Sequence, residues 1–181
     1  MKTKIAAFID GPSLLHSTRG LGFDVDFKRL LAYLDAGGDL LRAMYYTGAP
    51  ASANSKNAQQ FVDWLDYNSF TVRVKPLKLH EDAGTQRKPK TGMSVDLAVD
   101  ALELVHRVDR ILLFSGDGDY RRLIEALQRR AARVVVISTV RTTPPILADE
   151  LRRQADEFVE LDDLRTIIGR SSEKAPARKA G

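Results

Sequence analysis

Ile111-Leu112-Leu113-Phe114-Ser115-Gly116-Asp117-Gly118-Asp119-Tyr120 is a short apolar run that ends in two acids set in a glycine-containing turn. A strand buried on both faces reads this way, and such strands belong to parallel sheets covered by helices. The turn then delivers carboxylates to the carboxyl edge of the sheet. In open α/β sheets, ligands bind at that edge, in the crevice where the strand order reverses. Phe8-Ile9-Asp10-Gly11-Pro12 repeats the pattern near the start of the chain: an apolar strand, an acid, a turn-forming pair.

Working outward, strand-like and helix-like stretches alternate. Residues 4–10, 40–47, 71–74, 111–114 and 133–138 read as strands, and 157–161 as a short edge strand. Residues 24–34, 54–68, 94–107, 119–130 and 145–155 read as helices, with a last helical turn over 162–168. Ser94 and Thr143 stand where N-caps belong. The alternation predicts an α/β fold: a doubly wound, mostly parallel five- or six-stranded sheet with helices on both faces. The simplest right-handed strand order is 3-2-1-4-5, which makes strands 1 and 4 neighbours at the switch point. Residues 1–169 form one domain in this reading. Residues 170–181, rich in Ser, Lys, Ala, Pro and Arg, form a basic, disordered tail.

Composition narrows the chemistry. The 181 residues include no cysteine, which excludes disulfides, thiolate zinc sites and cysteine nucleophiles and fits a cytoplasmic location. The apolar stretch 5–9 is too short for a signal-peptide core, and no apolar run reaches membrane-spanning length. Net charge is +4, so an anionic partner is admissible. Between residues 75 and 91, Lys75, Lys78, Arg87, Lys88 and Lys90 outnumber Glu81 and Asp82.

A third acidic stretch, Ser94-Val95-Asp96-Leu97-Ala98-Val99-Asp100, puts Asp96 and Asp100 four residues apart on one helix face. The apolar neighbours predict a well-buried helix, and a buried Asp needs a partner: a cation in a site, or a salt bridge to a core Arg. Asp10 also reads as a plain turn residue, and Asp119 as the N-cap of the next helix. If the acids converge, they repel. Two charges ~4 Å apart cost about 4 kcal/mol at an effective dielectric near 20. Several such pairs would exceed a domain's margin of about 5–15 kcal/mol. A hard divalent cation relieves this, and an Asp-rich, His-free set suits Mg²⁺ or Mn²⁺. His16, His80 and His106 show no zinc spacing.

Other phosphate chemistries fail on their motifs. No Walker A run occurs, and the G-x-G at 116–118 is followed by Arg121 where a dinucleotide fingerprint needs Gly, so no nucleotide cofactor is expected. Pro12 stands where a haloacid-dehalogenase phosphatase has its second Asp, and the fifth strand lacks the Lys of a response-regulator receiver. Trp64, Phe61 and Phe70 read as core residues, while Tyr120 reads equally as core or as a ligand contact.

Three segments together resemble the NYN domain family, of the LabA/DUF88 type, within the PIN-like nuclease fold. They are Phe8-Ile9-Asp10-Gly11-Pro12-Ser13-Leu14, the run from Lys90 to Asp100, and the run from Leu113 to Tyr120. The stretch from Ala155 to Leu161 is similar to the family's closing strand, and the resemblance spans about residues 4 to 165. It implies a metal-dependent ribonuclease leaving 5′-phosphate and 3′-hydroxyl ends. Asp10, Asp96, Asp117 and Asp119 would be its catalytic acids and, with Asp100 as support, its metal ligands. Ser13, Ser115, Arg87, Lys88 and Lys90 would meet the RNA. Ser13 departs from the family, which has Asn there; the hydroxyl still donates and accepts a hydrogen bond, over a shorter reach. The rival expectation is a non-catalytic regulatory or RNA-binding module that keeps the acidic pocket. A homo-oligomer is compatible with either, and neither involves a membrane.

Overall fold

The computed structural model describes residues 2–49, 56–76 and 93–170. Six strands form one parallel sheet in the order β3-β2-β1-β4-β5-β6. They are β1 (Lys4–Asp10), β2 (Asp39–Ala49), β3 (Phe70–Pro76), β4 (Arg110–Phe114), β5 (Arg133–Ser138) and β6 (Glu157–Glu160). The expected order therefore holds, with β6 added beside β5. Strand order reverses between β1 and β4, where Ile9 lies opposite Phe114. Asp10 and Ser115 continue from that pair, so both emerge at the switch point.

The central strands are apolar on both sides because both faces are covered. Ala6 and Phe8 of β1 pack with α4 (Met93–Leu104), α5 (Arg121–Gln128) and α6 (Asp149–Gln154). Ile5, Ala7 and Ile9 pack with α1 (Gly11–Leu21), α2 (Phe27–Ala36), α3 (Lys56–Tyr67) and α7 (Arg165–Ile168). On this second face Phe27 is the hub. Its ring meets Tyr45, Phe61 and Phe70 edge-on at 5.6, 5.1 and 6.0 Å, and so joins α2, α3, β2 and β3. The expected core role of Phe61, Trp64 and Phe70 holds.

Several local expectations need correction. The helix α1 was read as a turn because Gly11-Pro12 follows the strand. Pro is tolerated in the first helical turn, where its missing N–H costs nothing, and Asp10 caps the helix directly. Helix α6 starts at Asp149 rather than at 145, after an irregular stretch through Pro144 and Pro145, and Ala148 precedes it without a side-chain cap. Thr143 therefore caps nothing. Ser94 lies inside the first turn of α4, not before it. The cap before α5 is Asp117, whose carboxylate accepts from the Asp119 amide and starts a 3₁₀ turn over Gly118–Tyr120. The helix α4 is buried on one side only: Leu97 is inaccessible, while Val95 and Val99 are exposed, because it lies on the sheet with nothing outside it among the described residues. Arg170 still belongs to the packed domain, since its amide donates to the Asp24 carbonyl at 2.9 Å. Residues 171–181, and with them the expected tail, lie outside the described residues.

Phe27→Ala should lower stability in urea unfolding by about 3–5 kcal/mol, the usual cost of emptying a buried aromatic position. Tyr67→Ala, on a side chain that is 93% exposed, should stay within about 0.5 kcal/mol of the parent.

Candidate functional site

Asp10 is the last residue of β1 and the N-cap of α1. One carboxylate oxygen, Oδ1, accepts from the Ser13 amide at 3.2 Å. The other, Oδ2, accepts from the Ser115 hydroxyl at 3.2 Å and from the Tyr120 phenol at 3.4 Å. Ser115 in turn accepts from the Asp117 amide at 3.2 Å. Ser13 reaches across the switch point, its Oγ accepting from the Gly116 amide at 3.1 Å. The two loops at the sheet's carboxyl edge are thus laced together through three hydroxyls. The sequence places Gly11 and Gly116 where backbones approach closely. A Cβ on Gly11 would lie 2.6 Å from the Tyr45 ring, and one on Gly116 would lie 2.5 Å from the Ile146 carbonyl.

Burial raises the Asp10 carboxyl above its ordinary value of 3.8, and the negative charge of Asp117 raises it further. Bonds from Ser13, Ser115 and Tyr120 oppose the shift without cancelling it. The Tyr120 phenol is itself pushed up, first by burial and then by the Asp10 charge, so it stays a proton donor. A Ser94 side-chain bond works against that rise, which ties the start of α4 to the same cluster.

The structure therefore brings together Asp10, Ser13, Ser115 and Asp117, with Tyr120 beneath them. Asp117 and Asp119 are exposed on the loop above. Asp96 and Asp100 have cationic partners on β3. Both Asp96 oxygens meet the Lys75 ammonium, at 3.0 and 2.9 Å. Asp100 meets the Arg73 guanidinium at 3.1 and 3.3 Å and the Tyr46 phenol at 2.9 Å. For these two acids the salt bridge foreseen as the alternative is the contact observed, with cations from an edge strand rather than from the core. Among the described residues no three of Asp, Glu, His or Cys converge closely enough to form a ready metal cage. Arg87, Lys88 and Lys90 lie outside the described residues.

The residues missed were Tyr46, Arg73 and Glu150, whose carboxylate lies against Gly118. Arg73 had a signal. Arg73 and Lys75, two apart on a strand, match Asp96 and Asp100, four apart on a helix, in side-chain spacing along one face. Glu150 had none, because its helix was expected to begin four residues earlier.

The side-chain atoms that could act as ligands around Asp10 and Asp117 are all oxygens. Such a set fits a hard cation, and two carboxylates fit Mg²⁺, which keeps several waters and completes its shell with substrate phosphate. Neither acid has a cationic side-chain partner among the described residues. A divalent ion would offset both the desolvation and the mutual repulsion.

Comparison with known proteins agrees with this fold. The NYN domain family model matches residues 4–162. The low amplitude and bright protein LabA of Synechococcus elongatus is 30% identical, the match covering 96% of this chain and 92% of that protein. The crystal structure of a protein of unknown function from Vibrio parahaemolyticus is 27% identical and superposes with a TM-score of 0.75, covering 93% of this chain and 97% of that one.

Because the folded-state Asp10 carboxyl is raised, its ionisation opposes folding. The associated stability is present below the ordinary carboxylate value and is lost as pH rises through the folded value. Asp10→Asn keeps an N-capping side chain and removes that penalty. In metal-free buffer the variant should melt above the parent at pH 7. The difference should shrink as pH falls towards 3.8, as followed by circular dichroism.

Proposed function

Since the chain belongs to the NYN domain family, a PIN-like nuclease-type family, we propose that it is a metal-dependent endoribonuclease. The observation that carries the proposal is the contrast among the acids. Among the described residues Asp10 and Asp117 sit at the switch point held by hydroxyls and amides, whereas Asp96 and Asp100 have Lys75 and Arg73. Negative charge without a counter-ion at the ligand-binding edge of a parallel sheet is what a phosphodiester-cleaving site offers to Mg²⁺ or Mn²⁺.

Asp10 and Asp117 would hold the ion, with Asp96 and Asp119 at the rim and Asp100 as support. When bound, such an ion lowers the pKa of a water and stabilises charge developing on the phosphate. The chain's own residues set the geometry. Ser115 donates to Asp10 and accepts from the Asp117 amide, and so ties the Asp10 carboxylate to the backbone that carries Asp117. Tyr120 holds Oδ2 from below, and Ser13 keeps the β4 loop against α1. Ser13 would meet the RNA at this edge, with Arg87, Lys88 and Lys90 proposed as contacts to flanking phosphates; Ser115, expected as a further contact, is only 2% exposed, and its hydroxyl is committed to Asp10 and the Asp117 amide. Products with 5′-phosphate and 3′-hydroxyl ends, and a cytoplasmic location, complete the reading. No helix among the described residues is long and apolar enough to cross a membrane.

One observation favours a second reading. Asp96 and Asp100 are already ion-paired, as they would be in a non-catalytic RNA-binding module that keeps the pocket for its fold. Cleavage of mixed single-stranded RNAs with Mg²⁺, Mn²⁺ or EDTA separates the two. A nuclease loses activity on chelation, while a binding module retains RNA binding and yields no fragments. Asp117→Asn should lower cleavage by more than the roughly 10–100-fold that loss of an outer-shell partner costs. Full cleavage by that variant, or by the parent in EDTA, would defeat the proposal.

A further inference from the structure

The two ion pairs between β3 and α4 look alike in sequence spacing, but the structure builds them differently. Arg73–Asp100 is a strut. Asp100 is only 12% exposed, and both of its oxygens are used by Arg73, with the Tyr46 phenol added. Lys75–Asp96 is open. Both side chains are 40% exposed, and the pair is monovalent ammonium on carboxylate. Exposed pairs of this kind contribute little to stability and exchange partners at small cost.

Position separates the pairs further. Asp10 lies opposite Tyr46, and Tyr46 lies opposite Arg73, so Arg73 is level with the end of β1. Lys75 lies opposite Gly48, one same-face step beyond that level, at the carboxyl edge where the switch-point acids emerge. Asp96 stands in the first turn of α4, two residues after Ser94, whose side chain bonds Tyr120, which in turn bonds Asp10. The ammonium spans both oxygens of Asp96, at 3.0 and 2.9 Å, as a coordinating cation would.

We propose that Lys75 is an internal counter-ion for Asp96. Its ammonium and a divalent cation are alternative partners of that carboxylate, and the displaced ammonium becomes a contact for substrate phosphate. The proposal rests on the metal-site reading above and assigns a new role within it. Lysine suits the part better than arginine. Its compact point charge on a flexible stem can move between a carboxylate and a phosphate, whereas the guanidinium fork of Arg73 is held by geometry. While the site is without a divalent ion, the arrangement keeps Asp96 from adding to the repulsion between Asp10 and Asp117.

The test is Mn²⁺ binding to the full chain, measured by calorimetry and by loss of the free-ion electron paramagnetic resonance signal. Lys75→Met, and Lys75→Gln as a second variant, should bind Mn²⁺ about tenfold more tightly, because one competing positive charge is gone. Adding Asp96→Asn to Lys75→Met should erase the gain, and Arg73→Met should show none. With Mn²⁺ saturating, the Lys75 variants should bind a nucleoside 5′-monophosphate, which has no internucleotide bond to cleave, more weakly than the parent. Unchanged or weaker Mn²⁺ binding in both Lys75 variants, with binding in the parent abolished by Asp10→Asn, would overturn the role of Lys75 and leave the metal site standing. An equal gain in Arg73→Met would overturn it as a general charge effect. Absence of Mn²⁺ binding in the parent and in both Lys75 variants would overturn the metal site and this inference together.

Discussion

A carboxylate that is more than half buried must be surrounded by donors, and the neighbourhood of Asp10 is organised by that need. Its oxygens take bonds from the amide of α1, the hydroxyl after β4 and a phenol at the start of α5. None of these donors carries a charge. Neutral donors hold an acid in place without cancelling its field, so the group remains raised in pKa and electrostatically unsatisfied. The fold follows from the same side chain. As strand end and helix cap together, Asp10 allows no linker between β1 and α1, and α1 must turn off over Tyr45. That close crossing is why only glycine fits at position 11.

What could be read in advance was what periodicity and burial encode. Apolar runs such as Ile111 to Phe114 announce parallel strands, and their alternation with helices leaves few topologies, so the order β3-β2-β1-β4-β5-β6 was legible. The helix α1 was not, because Gly11-Pro12 is a turn signal and a helix-start signal at once. The local capping bond from the Ser13 amide to Asp10 decides for the helix. The extent of α6 was misread for the converse reason, since Pro145 can open a helix but here sits in an irregular stretch before it. At the site, the acids were visible as residue types in turns. Their partners were missed although the spacing of Arg73 and Lys75 on a strand matches that of Asp96 and Asp100 on a helix, because that match pairs them only once β3 and α4 are known to be neighbours.

Those pairs also answer a problem set by the sheet. Among the described residues β3 is an edge strand, with Val74 exposed, and such edges invite pairing with other chains. Arg73 and Lys75 place charges along it, and Asp96 and Asp100 anchor those charges to α4. The same four residues therefore guard the edge and fasten α4 to the sheet.

Charge is distributed accordingly. Along β3 and α4, positive meets negative within about a hydrogen bond's reach, so the field there is short-ranged. At β6, Glu157 is shared by Arg110 and Arg133, with the same effect. Arg141 and Arg165 do likewise for Asp162. Among the described residues Asp10 and Asp117 have neutral partners, at the point where the strand order reverses. Neutral donors leave the field of a carboxylate uncancelled. On the metal-dependent reading proposed above, a cation there would meet carboxylate oxygens already held in place, and its charge would let an anionic strand approach them.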